Sequence, residues 1–229
     1  MKRLLFTILI ILVLPVLYQS TPTETLKLKV FDYLVPQQNP SGYFTILNIT
    51  EEDIDAEGGW PIPRQRLGEI HKQIIDAGAL GVGWVVSFPH PDRFGGDEFF
   101  AESLRYGTSI LASFEYPNQI YPKTVGTVIK GPDVGGMLSK GVVQNTHNLR
   151  TNYIQEGISA APTDVDNLVR RIPLLLKTPD GYVSSFGTEV LKALTGARTY
   201  IIKTNDNGIQ EISVKGIPPI KTDSLGRKW

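Results

Sequence analysis

The apolar positions of this chain fall into runs of two kinds, and the first is the most extreme. After Lys2 and Arg3, residues 4–18 are apolar but for Thr7 and Pro15. A membrane-spanning helix needs about 20 such residues, and the apolar core of a secretory signal about 7–15. Length therefore favours a signal peptide. The Tyr18-Gln19-Ser20 exit lacks the small residues that cleavage needs, which favours an anchor that stays. Either way residues 1–22 form a signal anchor or a signal peptide, Lys2 and Arg3 remain inside, and the rest of the chain lies outside the cytoplasm. A buried N-terminal helix is the third reading.

Helical and strand rhythms alternate after that. Leu26, Val30, Phe31 and Leu34 have helical spacing and predict a stalk helix ended by Pro36 and Pro40. Residues 43–49, YFTILNI, predict a buried strand. Pro63 is placed to open a helix whose apolar face is Leu67, Ile70, Ile74 and Ile75, and Gly78 to stop it. Residues 82–88 are a second continuous apolar run, so a parallel βαβ unit is expected. A FPHPDRFGG loop, a helix through Phe99, Phe100 and Leu104, and a third strand at 108–114 repeat the pattern. Between 115 and 155 prolines and paired glycines predict a long surface excursion with a small helix at 136–140 and no site. A strand at 168–176 and an extended piece from Tyr182 come next, then a helix turning Phe186, Val190, Leu191 and Leu194 inwards. Strands at 199–202 and 210–214 pair around an NDNG turn. The expected fold is α/β: a mixed, largely parallel sheet with flanking helices in one domain, residues 23–229, preceded by an N-terminal membrane helix.

Composition removes whole classes of function. Twenty-three basic residues cancel twenty-three acidic ones without any basic cluster, so nucleic acid is not an expected partner. Cysteine is absent, which excludes disulfides, a thiolate nucleophile and Cys-based zinc sites. The glycines of GALGVG run from helix into strand, the reverse of a phosphate-binding loop. His71, His90 and His147 lack chelating spacing and read as surface or helix-face histidines, and no G-x-S-x-G elbow occurs. Asp164-x-Asp166 is followed by Leu168 and Arg170, so it is no calcium loop, and its carboxylates read as partners of Arg170 and Arg171. No cofactor or metal is expected.

Three ordered blocks carry a resemblance. WPIPRQRLGEIHKQIIDAGALGVGWVVSFPHPDRFGGDEFFAESL, TDVDNLVRRIPLL and the helix ending VFDYL together resemble the second type of CHASE domain, the cyclase and histidine-kinase associated sensory extracellular domains. The resemblance implies a membrane-anchored, extracytoplasmic, non-catalytic sensor of an unknown small-molecule or environmental signal. It also implies an effector partner, a cyclase or kinase. Asn167 stands where the family usually has glycine, and Asn48, Thr50 and Val85 stand at positions where members usually carry aspartates. Replacing a buried aspartate with valine would remove proton or cation chemistry there. The C-terminal GIPPIKTDSLGRKW resembles the point where the last extracellular strand begins, so a missing edge strand and self-association, as a homodimer, are expected. Trp60 and Pro61 are expected to cap the core. A rim of Arg64, Arg170 and Arg171 with Asp92, Asp97, Asp164 and Asp166 is the expected ligand or structural site. The alternative is a secreted or periplasmic hydrolase using Asp97, Asp164 and Asp166.

Overall fold

The computed structural model of the chain describes Thr7, Val13 and residues 21–36, 39–150 and 154–229. The expected anchor at residues 4–18 lies, apart from Thr7 and Val13, outside the described residues. Among the described residues no helix is long and apolar enough to cross a membrane. The chain divides into two compact units, Met1–Asn48 with Thr163–Arg170, and Ile49–Pro162 with Arg171–Trp229.

The first unit contains helix α1 (Thr21–Leu34), which is the expected stalk helix, although none of its residues is buried. Residues 43–49, expected as a buried strand, carry no strand pairing and are exposed, Tyr43 by 89% and Ile46 by 84%. An apolar, β-prone run becomes a strand only when a neighbouring edge takes its N–H and C=O groups. The loop at 163–170 closes through Asp164 N–H to Leu168 C=O at 2.9 Å and Asn167 N–H to Asp164 C=O at 3.0 Å. Asn167 sits there at φ +63°, a left-handed conformation that asparagine tolerates better than most residues.

The second unit begins with helices α2 (Glu51–Ala56) and α3 (Arg64–Asp76), strand β1 (Gly81–Trp84), helix α4 (Asp97–Ser103) and strand β2 (Thr108–Glu115). Short strands β3 (Gly126–Lys130), β4 (Met137–Leu138), β5 (Val142–Val143) and β6 (Gln155–Ser159) follow. Strands β7 (Ile172–Pro173), β8 (Leu175–Thr178) and β9 (Gly181–Ser184) lead to helix α5 (Phe186–Thr195). Strands β10 (Thr199–Asn205), β11 (Gly208–Val214), β12 (Ile220–Lys221) and β13 (Arg227–Lys228) complete it.

Among the described residues the expected single, largely parallel sheet is replaced by four small sheets. In the first, β2 pairs parallel with β1 on one side and β6 on the other, while β5 joins its end antiparallel. The second runs β12-β11-β10-β3, in which β10 and β11 form the hairpin expected around the NDNG turn. The third is β4-β8-β9 and the fourth β13-β7. The cause lies in the 115–155 excursion. Its prolines and glycines stop every run after a few residues, and the pieces, including β4 where a helix was expected, attach to whichever edges are near.

Helix α3 carries the main adjustment to the core. Its buried positions are Arg64, Leu67, Gly68 and His71, an i, i+3, i+4, i+7 stripe, while Ile70, Ile74 and Ile75 are only half-buried. The buried stripe is thus rotated from the apolar one and includes a cation and an imidazole. Leu67 packs with Ile62, Trp84, Phe88, Phe100, Leu104 and Leu111 in the main apolar cluster. Helix α5 shows the same displacement. Thr188 and Glu189 are its buried residues, whereas Phe186, Val190 and Leu191 are half-buried and Leu194 is exposed.

Candidate functional site

Arg64 opens α3 and points inwards. Its guanidinium donates through Nη1 to Asp97 Oδ1 and through Nη2 to the His90 carbonyl, and it lies 5.2 Å from the centre of the Phe88 ring. The FPHPDRFGG loop brings the carboxylates in. Asp92 accepts from the backbone N–H of Arg64 at 3.0 Å, of Gly96 at 3.1 Å and of Phe94 at 3.2 Å, and its own N–H donates to Asp97 Oδ2 at 2.8 Å. Gly96 is required by close approach, because a Cβ there would sit 2.5 Å from Gln65 N. Burial alone would raise the Asp92 carboxyl, but those three N–H donors and the Arg64 charge hold it below its ordinary value. Burial pulls the Arg64 guanidinium down, opposed by Asp92.

A second polar group adjoins this one through Phe88. The expected strand 82–88 ends at Trp84, and further on Phe88 N–H donates to Asn145 Oδ1 at 2.9 Å while its carbonyl accepts from Thr146 N–H at 2.7 Å. A side-chain amide thus replaces a strand partner. Asn145 Nδ2 donates to the Ala112 carbonyl at 3.1 Å and to Glu156 Oε1 at 2.7 Å. Ser113 Oγ donates to the same Glu156 oxygen. Among the described residues Glu156 Oε2 has no hydrogen-bond partner, and the buried Ser87 Oγ and Gln155 Oε1 have none either. Asn145, Glu156 and Ser113 therefore gather beside the parallel strands β2 and β6, with Glu156 at the amino end of β6 opposite Leu111 of β2.

Sequence reasoning missed this group. Asn145 lies in the excursion read as having no site, and Glu156 and Ser113 fit no motif. The only available signal was a carboxylate inside QEGIS, a short strand between apolar neighbours. His71, expected as a surface or helix-face histidine, lies on a face of α3 and is fully buried. Trp84 Nε1 donates to His71 Nδ1 at 3.2 Å, and since an indole N–H can only donate, Nε2 carries the proton given to the Tyr106 carbonyl at 2.9 Å. Burial lowers the imidazole below its ordinary value, with the Tyr106 contact partly opposing.

The remaining candidates lie elsewhere. In the first unit Arg170 is bidentate to Asp166, at 2.8 and 2.7 Å, and to Asp32, at 2.6 and 2.8 Å, and reaches Asp164 at 3.2 Å. Hydrogen bonding to Arg170 holds the Asp166 carboxyl down at about 2 and lowers that of Asp32. Asp32 was not singled out from sequence, although it lies inside VFDYL. Arg171, in the second unit, stands 3.9 Å from Asp223. Trp60 is 53% exposed and does not cap the core; Ile62 enters it instead. Val85 is 58% exposed, and Thr50 caps α2 through Asp53, so neither occupies a buried site. Among the described residues no group of His, Asp and Glu could hold a metal ion.

The CHASE2 domain family model matches residues 7–227, nearly the whole chain, and the protein belongs to that family. CHASE2 domains are extracellular, non-catalytic sensory domains of signal-transduction proteins. No curated protein matches the chain, and no solved structure does.

Proposed function

We propose that the protein is an extracytoplasmic sensory module, held at the membrane by residues 4–18, that takes a small polar signal molecule at the Glu156 carboxylate, beside strands β2 and β6, and acts on a cyclase or kinase partner. The observation that carries the reading is the family membership over residues 7–227. The placement of the site is supported by Glu156, whose Oε1 is held by Ser113 and Asn145 while Oε2 has no hydrogen-bond partner among the described residues. The carboxylates a hydrolase would use, Asp97, Asp164 and Asp166, are each paired with an arginine, which favours a structural role for them.

Two measurements test this. Alkaline phosphatase fused to the C-terminus is expected to be active in cells and a fluorescent protein fused there dark; the reverse pattern would place the domain in the cytoplasm. A thermal-shift screen of the full chain against small polar metabolites is expected to give stabilisation that Glu156→Gln removes. Shifts that survive that substitution would move the site away from β2 and β6.

A further inference from the structure

His71 joins helix α3 to strand β1 inside the second unit, and both of its ring nitrogens are committed. Nδ1 accepts from the Trp84 indole N–H at 3.2 Å, and Nε2 carries its proton to the Tyr106 carbonyl at 2.9 Å. The hydroxyl of the buried Ser109, on β2, lies 3.3 Å from Nε2. A proton taken up by this ring can therefore land only on Nδ1. That nitrogen then becomes a donor aimed at an indole N–H, which has no acceptor to offer. The Tyr106 contact keeps its sense, so the conflict falls wholly between α3 and β1.

Nothing charged is in place to relieve it. Among the described residues no carboxylate is bonded to or paired with His71. On α3, Arg64 is paired with Asp97, and Lys72 lies over the rings of Phe99 and Tyr106. Glu98 and Glu102 of α4 and the following Arg105 are exposed, β1 has no charged residue, and β2 has only Glu115 at its far end. A buried cation without a partner is costly, and separation of the two elements removes the cost by letting water in.

The two sides of the contact are unequally held. Trp84 sits in a strand whose four residues pair with β2, and its ring meets Phe100 edge-on. Helix α3 is anchored at its start by Arg64 and Leu67, but beyond His71 its apolar residues Ile74 and Ile75 are only half-buried. We infer that the His71–Trp84 contact is a proton-operated latch: when Nδ1 is protonated, the end of α3 from His71 to Asp76 comes away from β1 while its start stays fixed at Arg64. The latch needs no ligand at Glu156 and stands independently of that site. With an ordinary imidazole in the open form, the open population relative to the closed one should rise about tenfold per pH unit below about 6.5.

The full-length chain carrying Trp60→Phe and Trp229→Phe keeps Trp84 as its single tryptophan and reports on the latch. Between pH 7.5 and 4.5 its emission is expected to shift reversibly to the red and to become accessible to acrylamide, with far-UV circular dichroism unchanged. His71→Gln in that background retains an acceptor for Trp84 and a donor for Tyr106 but cannot titrate, and is expected to abolish the response. In the wild type, ring nitrogen NMR provides a check that requires no substitution of His71: its Nδ1 should gain a proton in step with the Trp84 change, whereas the exposed His90 and His147 titrate without following it. A Trp84 signal that stays flat over this range, a response that survives in His71→Gln, a red shift while His71 remains neutral, or one that coincides with loss of circular dichroism would each overturn the latch.

Discussion

Replacing Asp97 by alanine leaves the Arg64 guanidinium inside the protein with no carboxylate on Nη1. Both side chains are nearly sequestered, at 8% and 12% exposure, and the Arg64 head group rests on Phe88 within the main core. Removing one member of a buried ion pair costs about 3–5 kcal/mol. The Asp92 N–H also loses its acceptor, a loss already contained in that range. Replacing both partners, as Arg64→Met with Asp97→Leu, removes the stranded charge and should cost only about 1–3 kcal/mol, chiefly the orphaned Asp92 N–H. Urea unfolding of the full chain, followed by tryptophan fluorescence, measures Asp97→Ala and, as a cycle, the wild type, the single variants Arg64→Met and Asp97→Leu, and the double variant. Trp84 dominates the change because it is buried against Phe100, whereas Trp60 and Trp229 are exposed. The reasoning is refuted if Asp97→Ala costs less than about 1 kcal/mol, or if the two single costs add up to that of the double variant.

Four further outcomes follow from geometry given above. His71 is lowered by burial, so the unfolded chain binds its proton more readily; stability is complete above about pH 6.5 and falls as pH drops below that, and urea melts of His71→Gln should lose this slope. Asp166, held at about 2 by Arg170, favours the folded state above its ordinary value of 3.8 and loses that advantage as pH falls towards 2; carboxyl NMR should show its midpoint returning towards 3.8 in Arg170→Gln. Gly157→Ala puts a Cβ 2.6 Å from Phe186 Cα and 2.9 Å from its N, so the start of α5 must move and a denaturant melt should show a loss of about 1–3 kcal/mol. Asn167→Val, at φ +63°, should cost about 1–2 kcal/mol in the same assay, while Asn167→Gly should be neutral or stabilising.

The sequence announced the helices and the hairpin because their signals are local. Pro63 and Gly78 bracket α3, and the NDNG turn separates β10 from β11, with no need of distant residues. Sheet membership is not local. Residues 43–49 have the composition of a strand but carry no strand pairing among the described residues, and β4 forms where a helix was expected because β8 offers a parallel neighbour. The site was half legible for the same reason. Arg64 with Asp97, and Arg170 with Asp164 and Asp166, fall inside recognisable motifs, and their pairing is readable from charge. Asn145 and Glu156 are ordinary polar residues in a turn-rich stretch, and only the pairing of β2 with β6 brings them to Ser113. His71 sits on a helix face, one of the two places expected, but its burial was not legible because α3 buries a polar stripe and periodicity counts apolar residues alone.

The contact between Asp32 and Arg170 spans 138 residues of sequence. Closing so long a loop is not prohibitive, since each doubling of length adds only about 0.6 kcal/mol, but it fixes an order of events. During synthesis or export from the N-terminus, Asp32 emerges early and has no guanidinium to meet until Arg170 follows. Helix α1 therefore waits, through most of the second unit's emergence, for the residue that ties it down. The first unit is completed late although it begins first, and a chain arrested before residue 170 would present α1 without the contact that secures it.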